Sequence, residues 1–146
     1  MFVALLFWAL TLLSCGFAAR FGGQAGRRIA VTTIVAVAAT SLVTLDEHSW
    51  FGPQIPALSV DTALFVVLAW IALRSDRWFP IWFAGLQLVA VTSHFGSILA
   101  PGFAPKIYFL LQSFWALPMY VTLLVGVALD RRAGIVDEPR YPQPAR

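Results

Sequence analysis

Asp61, His94 and Gln112 are the residues of this 146-residue chain whose types could do chemistry, because each interrupts a long apolar run. A carboxylic acid beside an imidazole exchanges protons, since the imidazole changes charge near neutral pH and a neighbouring carboxyl offers the proton a second home. Such a pair relays protons, holds a quinone carbonyl or, with a further axial donor, ligates a cofactor. Gln87 stands seven residues before His94, which puts both on one face of a helix. Tyr108 stands one turn before Gln112 on another. The candidate site is therefore Asp61, His94, Gln112, Tyr108 and Gln87. Ionisable groups inside hydrocarbon are costly and normally face a bundle interior in pairs, which makes Asp61 and His94 the natural partners.

A plainer reading stands beside this one. Asp61 lies near the start of its run, where a carboxylate also suits a helix N-terminus. His94, Gln87 and Gln112 also suit hydrogen bonds between packed helices. Other chemistries lack their residues. His48 is the second of two histidines and falls in a polar loop, with no His-x3-His or Glu-x-x-His spacing, so no metal site is expected. The single Cys15 excludes an intrachain disulfide and a CxxC redox motif. GGQAG in residues 20–28 lacks the Lys-Ser/Thr and the preceding strand of a phosphate-binding loop. No nucleophile elbow, hydrolase triad or paired-carboxylate site is present, so the sequence favours a non-enzymatic role without settling the matter. The cofactor, if one is held, is not readable.

The elements that must position these residues follow from composition. Hydrophobic residues make up 60% of the chain and charged residues 12%, with a mean hydropathy of +0.79. A soluble domain carries about a quarter charged residues. Five apolar runs, about 1–19, 29–45, 57–73, 79–99 and 107–129, are long enough for a hydrocarbon layer of about 30 Å at about 1.5 Å per helical residue. The expected fold is an all-α polytopic membrane bundle over residues 1–129 with a disordered cytoplasmic tail over 130–146. The first run lacks the basic residues that precede the core of a signal peptide, so it is expected to be a retained span. Residues 20–28 read as a short flexible basic loop and 74–77 as a tight hairpin link. Pro118 should kink the fifth run. Trp78, Trp82 and Phe83 read as an aromatic belt. Thr33, Ala36, Thr40 and Thr44 form a small-residue face suited to close helix contact, as do Ser93 and Ser97.

Lys and Arg alternate strongly between the connecting segments. Nine of the ten fall on one side of a five-span arrangement, and Lys106 falls on the other. Positive charge stays cytoplasmic, which places the N-terminus outside and the C-terminus inside. Topology accounts for the net charge of +3, and no nucleic-acid partner is expected. With that orientation, Asp61, His94 and Gln112 each fall roughly 8 to 9 Å outward of the membrane midplane by the helical rise. Thr40 and Ser41 fall near the same layer.

The segments RSDRWFPIWFAGLQL and QSFWALPMYVTLL, about a fifth of the chain, are similar to small multi-pass proteins of bacterial inner membranes. The resemblance implies an inner-membrane location and carries no functional residue. Two functions fit the sequence. One is a non-enzymatic membrane protein acting as an accessory or self-associating subunit, partnered by lipid and by a copy of itself or another membrane subunit. The other is a proton-coupled carrier or quinone-linked site built on Asp61 and His94.

Overall fold

The computed structural model describes residues 2–43, 55–99 and 114–135. These form five helices: α1 (Phe2–Phe21), α2 (Gly23–Val43), α3 (Ile55–Leu73), α4 (Phe79–Leu99) and α5 (Ala116–Arg132). The described residues contain no strand. Each helix packs on its neighbours in chain order, and α5 closes a ring by lying against both α4 and α1. Two helices, Gly23–Val43 and Ile55–Leu73, are long and apolar enough to cross a membrane.

Prolines set where the helices begin. Pro56, Pro80 and Pro118 all stand within the first turn of α3, α4 and α5, where a missing N–H removes no intrahelical bond. The kink expected at Pro118 lies not at the proline but one turn before it: Phe114 is helical, Trp115 is a turn and helix resumes at Ala116, because Pro118 has no N–H to bond the carbonyl four residues back. Residues 20–28 are not a loop either. α1 runs through Arg20 to Phe21, Gly22 alone makes the bend, and α2 starts at Gly23 with a φ of 63°. A left-handed residue at the bend lets two helices meet in one residue, so Arg27 and Arg28 lie on the surface of α2. The link between α3 and α4 is short, with Arg77 N–H donating to Ser75 Oγ at 3.2 Å.

The end of α5 is tied down more firmly than a disordered stretch beginning at residue 130 implies. Asp130 belongs to the helix and is buried. Gly134, at a φ of 65°, donates to Arg131 O, and Ile135 N–H donates back to Asp130 O at 3.0 Å. This Schellman closure satisfies the last carbonyls of the helix. Arg77 then reaches across from the α3–α4 link. Its Nη1 donates to Asp130 Oδ2 at 2.6 Å and its Nη2 to Ile135 O at 3.3 Å.

The apolar core occupies the half of the bundle nearest the arginines. Leu68 and Ile71 of α3, Phe79 and Phe83 of α4, and Leu123 and Val127 of α5 meet there with Ala18 and Ile29. Phe83 is therefore a core residue, whereas Trp78 and Trp82 are exposed as an interfacial belt requires. Thr33 and Ala36 are buried inside the bundle. In the other half, contacts turn polar. Thr11 Oγ1 donates to Phe7 O at 2.9 Å, which commits its one proton, so Tyr120 O–H donates to Thr11 across 2.8 Å and links α1 to α5.

α4 and α5 touch backbone to ring at Gly126, where any added Cβ would fall on Phe79 Cβ. Gly126→Ala is expected to lower stability by about 1–3 kcal/mol through overpacking. Gly85→Ala, whose methyl meets no atom within 4 Å, is expected to raise it by about 0.5–1 kcal/mol. Thermal unfolding of the two variants in one detergent checks both.

Candidate functional site

The helix α3 begins at Ile55, so Asp61 lies in its second turn and is not an N-cap. Its neighbours spend their protons on their own helix. Ser59 Oγ donates to Pro56 O and Thr62 Oγ1 to Leu58 O, both at 2.7 Å. Asp61 instead turns to α4. There Gln87 and His94, two turns apart on one face, straddle it.

The geometry is a clamp on one carboxyl group. Gln87 Nε2 donates to Asp61 Oδ1 and to the Asp61 backbone oxygen, each at 3.2 Å, using both amide hydrogens. His94 Nε2 is hydrogen-bonded to Asp61 Oδ2 at 2.9 Å. Gln87 and His94 are buried, while the Asp61 side chain keeps 27% of its surface exposed. The site is thus sealed on the α4 side and open at the carboxyl. That arrangement fixes the imidazole and leaves one titratable group accessible, which suits transfer of a proton between the outside of the bundle and His94.

Three of the five candidates, Asp61, Gln87 and His94, are brought together. Tyr108 and Gln112 lie outside the described residues, as do His48, Thr44, Lys106 and the loop and tail residues 46–54 and 136–146. Ser41 bonds to its own helix, donating to Val37 O at 2.9 Å. Among the described residues no group of three or more His, Cys, Asp or Glu side chains gathers where a metal would sit. Sequence reading missed the Thr11–Tyr120 bond, whose partners are 109 residues apart with no periodicity to connect them. The available signal was a tyrosine inside an apolar run, since a buried phenol usually finds a partner. Comparison with protein-family models, curated proteins and solved structures gives no match.

Because Gln87 and His94 act on one carboxyl, their losses are expected to be coupled. Gln87→Leu and His94→Leu should each cost about 1–3 kcal/mol by stranding an oxygen. The double variant should depart from additivity by about 0.5–3 kcal/mol. Adding Asp61→Leu, which removes the stranded group, should recover part of the loss. A thermal-unfolding cycle over these variants reads each step.

Proposed function

We propose that this chain is an integral protein of a bacterial inner membrane, with five spans, the N-terminus outside and the C-terminus cytoplasmic, and that Asp61 and His94 form a proton-exchanging site in its outer half. The function is that of a proton-coupled carrier or a quinone-linked site. One observation carries it: a partly exposed carboxyl lies at hydrogen-bond distance, 2.9 Å, from a buried imidazole. Intramembrane ionisable pairs of this kind mark proton and substrate paths.

Support for the spans comes from the outward faces. Large apolar side chains are exposed on all five helices, among them Leu13 at 73%, Leu42 at 69%, Val66 at 59%, Trp82 at 63% and Val121 at 58%. A bundle exposing such groups all round is suited to an apolar solvent. The arginines gather at one end, as retention on the cytoplasmic side requires.

The alternative of an accessory or self-associating subunit draws on small-residue faces for contacts between chains. Thr33 and Ala36 are used inside this bundle, which favours the site reading.

The test is proton flux and quinone binding by protein reconstituted in liposomes containing a pH-sensitive dye, with a short-chain benzoquinone as probe. Wild type is expected to conduct protons or bind the quinone, and Asp61→Asn and His94→Ala to abolish that property while remaining folded. Wild-type protein that does neither overturns the site reading in favour of the accessory role.

A further inference from the structure

Phe21 is the last residue of α1, and arginines from two helices converge on its ring. The guanidinium carbon of Arg20 lies 5.4 Å from the ring centroid and that of Arg131, from α5, lies 4.2 Å from it. Helix packing makes this meeting unavoidable. A Cβ on Gly22 would sit 3.0 Å from Val127 Cγ2, so α5 presses on the chain immediately after Phe21. Arg131 is four residues beyond Val127 on the same face of α5 and therefore reaches the ring.

Two cations on one ring need something more than the ring. The guanidinium carbons lie within about 10 Å of each other, about one Debye length at 0.1 M salt, so their repulsion is felt. A cation–π contact at an exposed site is a weak attraction. Neither Arg20 nor Arg131 has a carboxylate partner among the described residues. Among the described residues the two acids near this end are otherwise engaged: Asp130 holds Arg77, and Asp76 has an interaction of its own. Arg74, just past the end of α3, shows the simpler case, with Trp70 of that helix to itself at 4.6 Å.

We infer that Arg20 and Arg131, oriented by Phe21, bind the phosphodiester headgroup of an anionic phospholipid at the cytoplasmic surface. Guanidinium forks match phosphate oxygens in plane, and basic sites between helices on the cytoplasmic side suit anionic headgroups. The exposed Phe21 ring, tilted against the half-buried Phe17 at 5.1 Å, provides an apolar edge along which the acyl chain descends. The inference rests on the membrane reading above. That reading is judged separately, by whether the protein stays in the membrane pellet after an alkaline carbonate wash.

The experiment is native mass spectrometry of the full chain extracted in mild detergent and supplied with phosphatidylglycerol or phosphatidylcholine. Wild type is expected to retain phosphatidylglycerol in preference. R20Q/R131Q should lower that retention about tenfold, while R27Q/R28Q, which removes the same charge from the adjacent surface of α2, should change it less than about twofold, because among the described residues neither Arg27 nor Arg28 is held over an aromatic ring as Arg20 and Arg131 are, and both act only through the screened general field. R20K/R131K, which keeps charge and fold but loses the planar fork, should fall between them. Equal losses in the two glutamine variants, or no preference in the wild type, overturn the inference. So does displacement of the lipid by millimolar inorganic phosphate, which would make the site one for free phosphate.

Discussion

The closure of the ring depends on the Arg77–Asp130 ion pair. α5 has no short connection to either helix it lies between, so its placement against α4 and α1 must come from side chains. Both partners are nearly buried, at 11% and 6% exposure. Taking two charges out of water is expensive unless geometry and further hydrogen bonds offset it. Here the offset comes from the 2.6 Å contact and from the second Arg77 bond to the Schellman-closed end of α5. The same guanidinium thus fixes the height of α5 and its rotation. Phe79, two residues after Arg77, then meets Gly126 one turn before Asp130, and the core between α4 and α5 packs from that point.

This arrangement divides the labour along the bundle axis. The half near the arginines is apolar inside and holds the helices by shape. The other half holds them by hydrogen bonds, with Asp61, Gln87 and His94 joining α3 to α4 and Thr11 and Tyr120 joining α1 to α5. Hydrogen bonds between helices can be exchanged for others when a proton or ligand arrives, whereas a close-packed apolar core resists change. A polar site in the second half therefore has a rigid base and an adjustable end.

Much of this was legible in the sequence because hydrocarbon-length apolar runs leave few alternatives to helices. α4 has the bounds of its apolar run, 79–99. The pairing of Asp61 with α4 was readable in outline, since Gln87 and His94 share a face and Asp61 shares the depth of His94. Which helix stands beside which was not readable, because periodicity gives the face of a helix but not what it faces. Arg77 looked like a topological charge and Asp130 like the start of a tail. Their pairing appears only once α5 is folded back against the α3–α4 link. The GG pair in residues 20–28 suggested slack, but one left-handed glycine makes a corner that needs none.

That corner has a mechanical consequence. With only Gly22 between α1 and α2, neither helix can slide along the other, and Arg20, Arg27 and Arg28 travel with both. In a bilayer the pair would enter as one hairpin whose depth is pinned by its own cations.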